Sequence, residues 1–198
     1  MKKLLILLVL ATGFLFAGCQ KEKDSSEAVL DCIASRTSIR QYTDEAVSEA
    51  DQEKLLRAGM AAPSACNLQP WRFVVLTDGA VKQEIADSIR PAGPAAVAPL
   101  VIVVCGDMTA TIDEAGRDYW IEDCSAVSEN ILLAPNAMGL GGVWLGVYPL
   151  KERVDFLKER LGLPSDIVPL GMLAIGHPAE NPEPKDKWKP ESVHYNKW

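Results

Sequence analysis

Two short stretches hold the residue types that could grip an anion and read the edge of a planar ring. The first, Arg36–Tyr42 (RTSIRQY), sets Arg36 and Arg40 four residues apart with the Thr37 and Ser38 hydroxyls between them. A guanidinium forks onto phosphate or carboxylate, and hydroxyls add short donors to the same oxygens. Taken singly, the plainer account is a solvated basic turn closing a helix, with Arg36 well placed at the helix C-terminus. The second stretch, Pro63–Pro70 (PSACNLQP), presents Ser64, Asn67 and Gln69 in a turn stiffened by Pro63 and Pro70. Asn and Gln each offer a donor and an acceptor, which suits a heteroaromatic edge of alternating N–H and C=O groups. In isolation, a rigid polar loop accounts for it equally well.

Other chemistries lack their residues. The chain has no GxSxG elbow, no HExxH pair and no GxxxxGK[ST] loop, which weakens hydrolase and nucleoside-triphosphate readings. Gly139–Gly142 (GLGG) follows a helical pattern and enters a strand. That is the reverse of the order a dinucleotide fingerprint needs, and a helix C-cap explains at least half of it. His177 and His194 match no metal-ligand spacing with each other or with the cysteines. With no CxxC spacing, Cys32, Cys66, Cys105 and Cys124 are expected as free buried thiols.

Helices and strands must position these loops. Apolar spacing predicts a helix over Glu27–Ser35 that delivers the first loop. A second runs from the Ser48 N-cap, with Asp51 in capping-box position, to just before Pro63. Strands are expected over Trp71–Thr77, Leu100–Cys105, Val143–Tyr148 and Val168–Ile175. Further helices are expected over Ala80–Ile89, Asp113–Met138 (ended or kinked near Pro135) and Leu150–Leu161. Pro91–Pro99 reads as a loop, and 176–198 as an aperiodic tail rich in Pro, Lys and aromatics. Strands interleaved with helices give a helix-covered sheet, α/β or α+β.

The chain of 198 residues is 48% hydrophobic and 24% charged, the composition of one globular domain. Its net charge of −7 argues against a nucleic-acid partner, which needs a basic face. Residues 1–18 read as a signal peptide: Lys2 and Lys3, then an apolar run from Leu4 to Phe16 too short to span a bilayer. Leu15-Phe16-Ala17-Gly18-Cys19 looks like a bacterial lipobox, with Phe16 departing from its usual Leu. Cys19 is then the lipidated N-terminus, 19–26 a polar tether and 27–198 the domain, in a membrane-anchored lipoprotein facing away from the cytoplasm. An ordinary signal peptide or an uncleaved anchor remains the alternative.

Both loops, with YWIEDCSAVSENILLAPNAMGLGGVWLG and the tail GHPAENPEPKDKWKPESVHYNKW, occur in an order and spacing that strongly resemble the nitroreductase family from about Ala28 to Trp198. The resemblance implies an α+β fold, a mixed central sheet flanked by helices in three α-β-α layers, and an interlocked homodimer with FMN at the interface. By position, Arg36, Thr37 and Ser38 would hold the FMN phosphate and ribityl chain, and Arg40 would reach the pyrimidine edge. Pro63, Ser64, Asn67 and Gln69 of the other protomer would meet the flavin ring. Leu145 and Gly146 match the segment whose backbone approaches flavin N5. Lys187, and less surely Lys185, stand where the family has a basic residue, often Arg, on the phosphate. No protein nucleophile or general base is demanded of such an enzyme, and none is evident.

The activity implied is hydride transfer from NAD(P)H through FMN to a small aromatic electrophile such as a nitroaromatic or quinone. Nicotinamide cofactors are scarce outside the cytoplasm, so the alternative is an extracytoplasmic flavin-binding or electron-transfer lipoprotein fed by a protein donor. Dehalogenation or ene reduction on the same fold is a third reading. Tyr119 and Trp120 are candidates to line the substrate side, with core packing the equal alternative.

Overall fold

The computed structural model describes residues 25–198. The expected signal peptide, Cys19 and most of the tether lie outside the described residues. Among the described residues, six α-helices and four strands alternate: α1 Ser25–Ser35, α2 Glu49–Met60, β1 Trp71–Leu76, α3 Gly79–Ser88, α4 Gly93–Val97, β2 Leu100–Asp107, α5 Tyr119–Ala137, β3 Gly141–Gly146, α6 Lys151–Leu161 and β4 Ile167–Gly176. The sheet order is β1-β2-β4-β3, with every neighbouring pair antiparallel. Its one parallel contact is an isolated bridge from Ser38 to Gly142, which lays the RTSIRQY loop beside the start of β3.

Strand alternation sends side chains to two separate cores. Val101, Val103, Cys105, Val143, Leu145, Met172 and Ala174 pack with residues of α3, α4 and α6 on one face. Leu100, Ile102, Val104, Leu173 and Ile175 pack with α2 and α5 on the other. A strand buried on both faces reads as a continuous apolar run, which is why LVIVVC in β2 shows no alternation. The result is the expected three-layer α+β sandwich. β4 tolerates Pro169 in a central position because the register shifts there: Gly171 faces Val104 and Pro169 faces Cys105, leaving Leu170 as the extra residue of a bulge.

Local signals hold at several ends. Ser48 caps α2, its hydroxyl accepting the Asp51 N–H at 3.1 Å and donating to the Asp51 carboxylate at 2.8 Å. Two expectations are corrected. Pro91–Pro99 is not a plain loop but holds a 3-10 turn and helix α4, Pro94 sitting in the first turn where its missing N–H costs nothing. The buried Lys82 ammonium ties off α4 by donating to the Ala98 and Pro99 carbonyls at 2.6 and 3.1 Å. The long helix begins at Tyr119 and not at Asp113, because a separate 3-10 turn occupies Glu114–Gly116.

Candidate functional site

The Arg36–Tyr42 loop is fastened at four points. Arg36 N–H still bonds Cys32 as a last turn of α1 (3.2 Å), and Ile39 N–H bonds Gly142 O (3.1 Å). Ile39 packs so closely on Gly141 that a Cβ there would lie 2.5 Å from it, so glycine is what admits the loop against the sheet. The Tyr42 hydroxyl sits 2.5 Å from Ile39 O and 2.9 Å from Ala174 O. Burial, then the Glu180 charge, keeps that phenol protonated well above its ordinary range. Glu180 accepts the Arg40 and Gln41 N–H groups at 2.5 and 3.1 Å through one oxygen.

This fastening assembles a cationic cavity. Arg36, Thr37, Ser38 and Arg40 line a hollow of about 260 Å³ together with Pro182, Glu183, Lys185 and Lys187 from the tail. Arg36 is steadied by Glu129 of α5, 3.5 Å from its Nε, and Arg40 reaches only Ser38 O at 3.4 Å. Among the described residues, no other group of the chain bonds the Thr37 or Ser38 hydroxyl or either lysine ammonium. Two guanidiniums, two ammoniums and two uncommitted hydroxyls in a protein of net charge −7 form a donor set that fits a phosphate.

The loop before β1 is built differently. Cys66, Asn67 and Gln69 all adopt left-handed backbone (φ 52, 56 and 51°), unusual for non-glycine residues. The turn is held by Gln69 N–H on Ser64 Oγ (3.0 Å) and by the buried Asp123 carboxylate on Ala65 N–H (2.8 Å). Gln69 Nε2 donates to Asn67 Oδ1 at 3.1 Å. That leaves the Asn67 amide hydrogens and Gln69 Oε1 without a partner among the described residues, a donor beside an acceptor. Pro63 opens the loop and is exposed.

Sheet topology decides which of these groups can meet. Trp71 pairs with Gly106, and Gly146 pairs with Gly171, so the Pro63–Gln69 loop and the Leu145–Gly146 end of β3 lie at one end of the sheet. Gly142, with the RTSIRQY loop, lies at the other end of β3, about 13 Å away at ~3.3 Å per residue. The cationic cavity therefore takes in neither group. Leu145 buries its side chain in the core, whereas Gly146 is exposed and a Cβ there would meet nothing. An extended ring has room against that backbone.

Several expectations change here. Trp120 is buried, packed against Gly106 and edge-on to Tyr148 at 5.0 Å, so it is core; Tyr119 is about half exposed. Cys105 and Cys124 are buried free thiols, both pushed up to about 12 chiefly by burial, but Cys32 is only partly buried and Cys66 is exposed. Glu129, Glu180 and Asp123 shape the site, yet nothing in the sequence marked them. Each acts across 58 to 140 residues of chain and carries no local signature.

The sequence pattern of the nitroreductase family matches residues 33–96 and 93–177. An Archaeoglobus fulgidus protein provisionally named an NADH dehydrogenase/NAD(P)H nitroreductase is 41% identical over 87% of this chain and 99% of its own. A Parabacteroides distasonis crystal structure of the same provisional name is 38% identical, covers 86% of this chain and 98% of its own, and superposes with a TM-score of 0.81. The structure of an FMN-dependent nitroreductase from Clostridium difficile is 26% identical over 85% and 99% of the two chains, with a TM-score of 0.78.

Proposed function

Since the chain belongs to the nitroreductase family, we propose that it is an FMN-dependent NAD(P)H oxidoreductase that reduces small aromatic electrophiles of the nitroaromatic or quinone kind. The observation that carries this reading is the cavity lined by Arg36, Arg40, Lys185 and Lys187 with the uncommitted Thr37 and Ser38 hydroxyls, a donor set that suits the phosphate of FMN. Bound FMN supplies two-electron hydride chemistry. Arg36, Thr37, Ser38, Lys185 and Lys187 hold the phosphate end, and Arg40 places positive charge where the ring's pyrimidine edge gains negative charge on reduction. Asn67 and Gln69 pair with the ring edge, while the open backbone at Gly146 admits its face.

The active unit is a homodimer. One chain holds its phosphate donors and its ring-reading loop at opposite ends of the sheet, and its cationic cavity takes in neither the Asn67–Gln69 loop nor Gly146. A second copy supplies the missing half. Exposed Val29, Leu30 and Ile33 on α1, with Trp188, Tyr195 and Trp198 in the tail, give apolar surface for that contact. Residues 1–18 act as a signal peptide, with lipidation of Cys19 tethering the domain on the extracytoplasmic side. This rests on the sequence pattern alone. No helix of the described residues is long and apolar enough to cross a membrane.

The test is a visible spectrum of the purified protein, with release and identification of its chromophore, followed by anaerobic NADH and NADPH. A yellow protein carrying FMN that either nucleotide bleaches, and a nitroaromatic or quinone restores, is the expected result. Colourless protein that takes up no added FMN would end the proposal. Protein that stays oxidised with both nucleotides would remove its NAD(P)H half.

A further inference from the structure

The lysines of the cationic cavity sit on a tail that has few ties to the domain. Upstream, Thr43 N–H bonds His177 O and Ala179 N–H bonds Gln41 O, both at 2.9 Å, so residues 177–179 run as a short ladder beside 41–43. Glu180 adds the last rung with its side chain, one oxygen taking both the Arg40 and Gln41 N–H groups. Beyond it, among the described residues, the hydrogen bonds of 181–198 all stay within the tail: Trp188 N–H to Asp186, Ser192 N–H to Lys189 O and Val193 N–H to Pro190 O. Pro182 and Pro184, with φ preset by their rings, then carry the chain to Lys185 and Lys187.

We propose that Glu180 is a positioning residue: its carboxylate clamps the tail to the Arg40–Gln41 backbone and so keeps Lys185 and Lys187 on the phosphate side of the cavity. The inference rests on the FMN reading above. Two effects of Glu180 oppose each other. Its negative charge repels a nearby phosphate, while its two hydrogen bonds set where two ammonium groups stand. The clamp outweighs the repulsion, because a tail released at Glu180 withdraws both cations from the anion at once.

Substitutions that separate reach from charge decide the matter. Glu180→Asp keeps the charge but shortens the side chain by a methylene, too short to span both N–H groups. Glu180→Gln keeps the reaching oxygen and loses the charge. Each full-length variant is titrated into FMN and into riboflavin, which lacks the phosphate, following flavin fluorescence. Tryptic cleavage after Lys185 and Lys187 is timed in parallel. E180D is expected to weaken FMN binding about tenfold and riboflavin binding less than about twofold. Its tail should be cut faster, while E180Q stays near wild type on all three readouts. A general loss of structure would weaken both flavins alike and overturn the clamp. E180D binding FMN like wild type would also overturn it, as would tighter FMN binding by E180Q with no change in E180D. Wild-type protein that binds neither flavin would overturn the FMN reading itself, and the clamp with it.

Discussion

Arg36 and Arg40 are four residues apart in the chain but differ in how they are held, and the difference predicts different losses. Arg36 is mostly buried and braced by Glu129. Arg36→Ala removes a charge-assisted contact to phosphate, expected to weaken FMN binding by about 1.5–3 kcal/mol while riboflavin binding changes little, read by the same fluorescence titration. Arg40 touches only a carbonyl of its own loop and is exposed. On the FMN reading Arg40 also meets the ring's pyrimidine edge, so Arg40→Ala should lower the flavin reduction potential by loss of a nearby cation, with a smaller loss of phosphate affinity than Arg36→Ala. Thiol chemistry is also a residue-scale matter. Cys66 is exposed, whereas Cys105 and Cys124 are buried with thiols at about 12. A disulfide reagent should modify Cys66 rapidly, spare Cys105 and Cys124 until the protein unfolds, and be slowed at Cys66 by bound FMN.

The elements explain why those residues stand where they do. Gly141 lets the RTSIRQY loop lie on the sheet, and a methyl there would press on Ile39 at Cβ and Cγ1 together. Gly141→Ala is expected to cost about 1–3 kcal/mol in urea unfolding, and to weaken FMN binding by tilting the loop. At the end of β2, Asp107 accepts from the Thr109 hydroxyl at 2.6 Å, its backbone N–H at 2.9 Å and Arg72 at 2.7 Å. The Thr109 hydroxyl chiefly, with its N–H and Arg72, holds that carboxyl below the usual carboxylate range. A depressed acid stabilises the fold above its unfolded pKa, about 4, and loses that contribution as pH falls through its lower folded value. Wild type should thus lose stability below pH about 4 more steeply than Asp107→Asn, in denaturation curves taken at successive pH values. All four strands and most helices were legible from their apolar spacing, because burial on one or two faces writes its period into the sequence. Helix α4 was not: GPAAV is too short to show a period, and its ending depends on Lys82 from α3.

Across the whole molecule, the sheet sets the Arg36–Arg40 loop and the Pro63–Gln69 loop at opposite ends in each chain, and on the FMN reading proposed above a second copy brings the two kinds of loop together. Subunit complementation tests this. A chain carrying Arg36→Ala with Arg40→Ala, and a chain carrying Asn67→Ala with Gln69→Ala, should each bind FMN poorly. Mixed dimers should regain one intact site of two, because one interface then joins both unaltered halves. No recovery in purified mixed dimers would mean that each chain builds its own site.

By itself the sequence determined the residue types that could serve the cofactor, the two loops that hold them and the layered α+β class. Those properties are written locally, as donor chemistry at short spacing and as apolar period. Only the tertiary structure decided that Trp120 belongs to the core, and that Glu129, Asp123 and Glu180 brace the site. It also placed the two loops at opposite ends of one sheet. Such facts depend on contacts between residues far apart in the chain, where neighbours in space leave no mark on each other's sequence surroundings.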